Sequence, residues 1–352
     1  MKTIAVDVNP ATREVATGTE VFTREVASRL SAAAPELRWL FYASRARAGL
    51  GVDVTVVPMA RLWSQVRLPL ALRPARPDLL FVPAHAIPFG WLGKSLTVVH
   101  DLAFERHPEA YSRAERSYLQ VTTRWAAMRC PILITPSEAT RNDLVELYHV
   151  APNRVRVVPL GGGERQDLEV APVGRLAELG LEGDFVLQVG RIEARKNQAA
   201  ALAAVEKLHG VLLALAGPER DRELAARFGS STRCRVLGPV DAPTLELLYR
   251  RAKAVVVPSL YEGFGLPVLE AMARGQVVVA ARSSSLPEVG GEAVLYVEDP
   301  NDPAALGAAL ETALGDEKVR ARLKRAGPKR AAEFTWDRTA AGVAEVVREL
   351  VI

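Results

Sequence analysis

Cysteine is nearly absent from this 352-residue chain, which has only Cys130 and Cys234. Two thiols cannot build a disulfide framework, which fits a reducing compartment and predicts a cytoplasmic protein. Long apolar runs are missing too, and none approaches the roughly 20 residues that cross a bilayer. Lys2 leads straight into an extended segment, residues 3–8, so the start reads as a first strand and not as a leader. No two aspartates stand two positions apart, and no Cys/His group has ligand spacing, so neither a metal nor another cofactor is expected. No G-x-G-x-x-G follows the first strand and no serine elbow is present, which argues against a nicotinamide enzyme and an elbow-type hydrolase. Strong charge of one sign is lacking as well. The net charge is +4, and the first 164 residues carry 20 Lys and Arg against 15 Asp and Glu. That excess is too sparse for nucleic acid. It fits an acidic acceptor, a weak peripheral contact with the inner face of a membrane, or plain solvated faces rich in arginine.

What is present is an alternation. Short β-branched runs at residues 3–8, 54–57, 79–82, 96–99, 132–135 and 155–158 are separated by longer amphipathic stretches. A second series follows at 185–189, 211–216, 235–237, 254–257, 277–281 and 294–297. Near-continuous apolar strands between helical patterns imply parallel sheets covered on both faces. The length exceeds what one core holds, so the two series predict an α/β protein of two doubly wound, Rossmann-like domains. Pro159 and the run Gly161, Gly162, Gly163 place the boundary near residue 164, with a polar stretch to Gly183 behind it. Sites in such sheets lie beyond the carboxyl ends of the strands, and a cleft between two such domains is the default location.

The most informative window is 258–275, PSLYEGFGLPVLEAMARG. Gly263 and Gly265 allow a sharp bend and a close backbone approach. Pro267 suits the start of a helix, where its missing N–H would be unpaired anyway. The free amides and positive dipole end before it suit an anion, and Glu262 and Glu270 flank the bend. A polyphosphate site with an acid on each side is the natural reading.

This window resembles the signature of the retaining glycosyltransferases of family four, which have the GT-B fold. Ser259, Glu262, Gly263, Phe264, Gly265, Leu266, Pro267, Glu270, Ala271, Met272, Ala273 and Gly275 all match that pattern. The resemblance implies a metal-independent hexosyltransferase, with a nucleotide-sugar donor and a glycan or lipid-linked acceptor. GDP-mannose is preferred over UDP-hexoses as donor. It further implies that Glu262, with Gly263 and Phe264, holds the transferred sugar and that Glu270, in the helix's first turn, holds the ribose. Arg191 and Lys196, after the first strand of the second series, would clamp the diphosphate with Gly265 and Leu266. Two cations suit two phosphate charges, and still more the charge that grows as the sugar leaves. Arg195 is the competing cation and reads equally as a surface residue. Val240 would lie at the base. In the first domain, His100 would act near the transferred bond, with Asp101 orienting it, capping the next segment or meeting acceptor.

Gly18 is placed near the phosphates by the same resemblance, though helix punctuation with Thr19 as N-cap explains it equally. The family's last helix crosses back to the first domain, so residues 336–352 join 1–164, and 165–335 form the second domain. Residues 61–68 read as a packed helix ended by Pro69, in preference to a membrane-surface helix. Two other functions stay open: a nucleotide-sugar 2-epimerase of the same fold, and a non-catalytic sugar-nucleotide binder.

Overall fold

A computed structural model describes residues 1–13, 18–59, 62–164 and 168–351. It contains two compact units, one of residues 1–161 with 335–352 and one of residues 162–334. The change of unit thus falls at Gly161 and Gly162. A Cβ on Gly161 would collide with the Trp336 backbone, and one on Gly163 with the Ala331 carbonyl. That close approach is the reason for glycine there.

The first unit carries a seven-stranded parallel sheet, ordered β3-β2-β1-β4-β5-β6-β7. Its strands are β1 Thr3–Asp7, β2 Arg38–Ala43, β3 Val54–Val56, β4 Leu79–Val82, β5 Ser95–Val98, β6 Leu133–Thr135 and β7 Val155–Val157. β2 is a strand the sequence series above lacks. Its signal, Trp39, Phe41 and Tyr42 within one short run, is nonetheless that of a strand. β4 is buried along its whole length, as a strand covered on both faces must be. Leu68, Leu72, Ala126 and Leu144 of the flanking helices pack against Leu80, Val82 and Leu133. The terminal helix Trp336–Val351 belongs to this unit and lies along the helix Gly18–Ala33, with Arg29 paired to Asp337 and Arg348 to Glu36.

The second unit carries a six-stranded parallel sheet, ordered β10-β9-β8-β11-β12-β13. Its strands are β8 Asp184–Val189, β9 Val211–Ala216, β10 Cys234–Gly238, β11 Ala254–Val257, β12 Val278–Ala281 and β13 Leu295–Val297. Val186, Leu213, Val256 and Val279 form its core with the helices Gln198–Val205 and Pro303–Gly315. In both sheets the strand order reverses beside the first strand of the unit. In the second unit β8 and β11 are hydrogen-bonded neighbours across that switch, so the loops after them leave adjacent carboxyl ends.

Two expectations need correcting. Pro69 does not end a helix: a π-helical turn, Trp63–Arg67, runs into the helix Leu68–Ala75, where Pro69 sits in the first turn. Arg61 lies outside the described residues. Thr19 is the second residue of the helix Gly18–Ala33, not its cap, and its carbonyl accepts the Thr23 hydroxyl at 2.8 Å. Residues 14–17, within the polar loop ahead of it, also lie outside the description. Among the described residues no helix is long and apolar enough to cross a membrane.

Candidate functional site

The switch point of the second unit gathers the chemistry. The loop after β8 carries Arg191, Arg195 and Lys196, and the loop after β11 carries Ser259 and Glu262. Lys196 Nζ donates to Glu262 Oε1 at 2.5 Å, and the Ser259 hydroxyl donates to the same oxygen at 2.8 Å. The other oxygen, Oε2, has the Arg195 guanidinium 3.7 Å away. Glu262 is only 7% exposed. Burial pushes its carboxyl up, but the charges of Lys196 and Arg195 outweigh it and hold the group below the ordinary range, so it stays ionised. Burial pulls the Lys196 ammonium down, with Glu262 opposing that shift.

Arg195 is not a surface residue. It is 9% exposed, and it donates to the Tyr261 carbonyl at 2.9 Å and pairs with Glu193 at 2.9 Å. Its own carbonyl accepts the Leu260 N–H at 2.8 Å, so the two loops are joined through both its main chain and its side chain. Arg191 is different. Its carbonyl accepts the Gln198 amide at 2.8 Å, while among the described residues its guanidinium meets no acceptor. A diphosphate could engage it without displacing a protein partner.

Three serines after β12 hold the Glu262 loop in shape. The Ser283 hydroxyl donates to the Ser259 carbonyl at 2.7 Å, and Ser284 Oγ accepts the Glu262 N–H at 2.8 Å. The Ser285 hydroxyl lies 2.9 Å from the Glu262 carbonyl and 2.8 Å from that of Phe264. Sequence reading passed over this run; three consecutive hydroxyls after a strand, Ser283 to Ser285, were the available signal. Gly263 and Phe264 are buried in the bend, and Phe264 meets Phe334 edge-on at 5.7 Å between ring centres. Gly265 then takes φ 110° and caps the helix Leu266–Ala273. A Cβ there would lie 2.8 Å from Leu286 Cδ2. Pro267 stands in the first turn, and among the described residues the Gly265 and Leu266 amides donate to no protein acceptor. They remain for an anion.

Glu270 is the fifth residue of that helix, hence in its second turn and not its first. Its Oε2 accepts the Tyr249 hydroxyl at 2.7 Å. Burial raises its carboxyl above the ordinary value, with Tyr249 and Arg274 opposing. Arg274 covers the Tyr249 ring at 4.7 Å and pairs with Glu246 at 2.6 Å, so Glu270 is held from the neighbouring helix Ala242–Arg251. Val240 is half-buried in the turn between β10 and that helix, next to the Asp241 cap.

In the first unit His100 follows β5 and is half-buried. Its Nε2 lies 2.7 Å from the Pro83 carbonyl, so that nitrogen carries the hydrogen and Nδ1 is an acceptor. Burial, then the neighbouring His85, brings its pKa down to about 4, which keeps the ring neutral at physiological pH. His85 was not singled out from sequence. Its ring centre is 6.4 Å from that of His100, and its Nε2 donates to the Asp101 carbonyl at 3.1 Å. Phe22, from the helix Gly18–Ala33, meets His100 edge-on at 5.1 Å. Asp101 accepts the Ala103 N–H at 3.1 Å, one residue ahead of Leu102, the N-cap of the helix Ala103–Arg106. Gly18 opens its helix and is exposed. Among the described residues no cluster of His, Cys, Asp or Glu could hold a metal ion.

Residues 178–330 match the family model described as glycosyl transferases group 1, and residues 16–161 match that of glycosyltransferase family 4. O-antigen chain mannosyltransferase B of Escherichia coli is 31% identical over 291 residues, which is 79% of this chain and 76% of that protein. A D-inositol 3-phosphate glycosyltransferase of Salinispora arenicola is 32% identical over 297 residues, 74% of this chain and 66% of that protein. The chain thus spans just under two thirds of the latter's length. Among solved structures, sucrose-phosphate synthase from Thermosynechococcus elongatus aligns with a TM-score of 0.78 at 21% identity, covering 99% of both chains. Anabaena HepE, in complex with UDP-glucose, aligns at 0.77 and 17% identity, covering 99% of this chain and 100% of that one. At such identities the likeness concerns the fold.

Proposed function

The chain belongs to the group 1, family 4 glycosyltransferases, and from that premise we propose that it moves a hexose, with retention, from a nucleoside diphosphate sugar to a glycan or lipid-linked acceptor. Mannose is the preferred sugar, which the name of the Escherichia coli relative supports, and GDP is its preferred carrier in this reading; a UDP-hexose is the second choice. A cytoplasmic enzyme meeting its acceptor at the inner face of a membrane belongs to the same reading, supported by the basic balance of the front half.

The observation that carries the proposal is the pairing of Lys196 with Glu262 beside the free amides of Gly265 and Leu266. In this reading Arg191, Lys196 and those amides neutralise the diphosphate, so neither a metal nor another cofactor is required. Glu262, with the backbone of Gly263 and Phe264, takes hydroxyls of the sugar. Glu270 takes those of the ribose, and the backbone at Val240 touches the base. His100, neutral and with Nδ1 as acceptor, and Gly18 act from the first unit. The bond from the anomeric carbon to the phosphate oxygen breaks while the acceptor oxygen bonds on the same face. The leaving phosphate receives the acceptor's proton. Two carboxylates suggest a glycosidase, but here they would hold opposite ends of the donor, and the protein works by position and charge.

A thermal-shift panel of GDP-, UDP- and ADP-sugars, followed by transfer assays with the sugar that binds, tests this. One donor should stabilise the protein, the product should keep the donor's anomeric configuration, and Glu262→Ala should lower transfer by about 100-fold or more. Unaltered turnover in that variant would sink the assignment.

A further inference from the structure

Lys196 has two anionic claimants once a diphosphate arrives: the incoming phosphates, and Glu262, already 2.5 Å away. A lysine lent to phosphate would leave a buried carboxylate short of one counter-ion, a costly state unless another cation remains. On the donor-site reading above, we propose that Arg195 is the positioning residue of this site: the standing counter-ion of Glu262, with Lys196 the exchangeable one that passes between carboxylate and phosphate.

Four observations carry this. Arg195 is tied down by the Tyr261 carbonyl, by Glu193 and by the Leu260 N–H on its own carbonyl, so it cannot follow a ligand. A guanidinium also stays charged whatever its surroundings. Lys196, by contrast, reaches Glu262 through a flexible stem and a single donated bond. Finally, the two carboxylate oxygens differ. Oε1 is occupied by Lys196 and Ser259, whereas Oε2 faces Arg195 at 3.7 Å, too far for a hydrogen bond. Arg195 therefore supplies charge without occupying the oxygen, which stays open to a sugar hydroxyl. The charged groups around Glu262 are Lys196 and Arg195, with Glu193 behind Arg195 and Arg220 3.7 Å from Glu193. Without Arg195 the carboxyl would gain its proton at higher pH, so the acid limb of activity should move toward neutrality.

The test uses the full chain, calorimetric titration with UDP, GDP and ADP, and hydrolysis of the matching nucleotide sugar across pH. In Arg195→Met, binding of the nucleoside diphosphate should stay within about 3-fold while kcat falls about 100-fold and the acid limb moves up in pH. Arg195→Lys loses the two-armed hold on Tyr261 and Glu193 but restores a positive charge beside Glu262, so it should recover at least about 10-fold of that loss. Glu262→Gln should release Lys196 and tighten nucleoside diphosphate binding several-fold, a readout that does not depend on how Arg195→Met folds. Wild-type kcat and pH profile in Arg195→Met, a parallel loss of nucleotide binding, failure of the lysine to rescue, or weaker binding in Glu262→Gln would each overturn the inference while leaving the donor site intact. A wild-type chain that binds none of the three nucleotides overturns the donor-site reading, and this inference with it.

Discussion

Asp7 ends β1 at 3% exposure, with its carboxylate accepting the Asn9 N–H at 2.9 Å. Burial raises its pKa to about 7 in the fold, against the Asn9 and Ser64 hydrogen bonds. A raised folded value means that the stabilising contribution is complete below the unfolded value near 4. It is lost as pH rises through about 7, at about 1.4 kcal/mol per pH unit. Asp7→Asn keeps an acceptor oxygen and cannot ionise, so it should raise the unfolding temperature by several degrees more at pH 8 than at pH 5. Equal gains at both pH values would contradict this. His100 works in the opposite sense. Its lowered value of about 4 removes stability as pH falls below the ordinary histidine value of 6.5, but it does so in wild type and variant alike and cancels in their difference at each pH. Single residues were unevenly legible. Lys196 and Glu262 stand in windows whose family resemblance singles them out, but the burial of Arg195 depends on Tyr261, 66 positions away, and that of His85 on Phe104 and His100.

At the scale of elements, the bend before the helix Leu266–Ala273 is the part most exposed to change. Gly265 holds φ 110°, a region that side chains with a Cβ seldom adopt, and the added atom would also press on Leu286. Gly265→Ala should cost about 1–3 kcal/mol and weaken nucleoside diphosphate binding at least several-fold, because the amides at this helix start would turn away. Thermal unfolding and calorimetry on the variant check both, and a wild-type result in each would show that the bend has slack. Element boundaries mattered here too. Counting Glu270 into the first turn places it one turn too early, because the helix begins only at Leu266 and Gly265 belongs to the cap. Pro69 shows the same ambiguity: a proline both closes and opens helices, and only the structure reveals which side is helical.

At the scale of the whole molecule, the chain leaves the first unit at Gly161, builds the second, and returns at Thr335. The first unit therefore depends on a helix made last. Val343, fully buried in the helix Trp336–Val351, is one of the residues that seal it. All five tryptophans, Trp39, Trp63, Trp91, Trp125 and Trp336, lie in this unit, so tryptophan fluorescence follows its unfolding alone. Val343→Asp buries a charge without a partner and should move the fluorescence transition to clearly lower urea. An unmoved transition would show that the returning helix adds little.

The sequence by itself determined the class of the fold and, through the family resemblance of its motifs, singled out the residues of the loops after β8 and β11. A parallel strand buried on both faces leaves an unbroken apolar run, and a sharp bend with positive φ that opens a helix needs glycine and proline at fixed places. The tertiary structure alone decided which charges face each other. Lys196 and Arg195 meet Glu262 because β8 and β11 are neighbours where the strand order reverses. That adjacency arises from sheet order, and residues 66 and 67 positions apart along the chain carry no local trace of it.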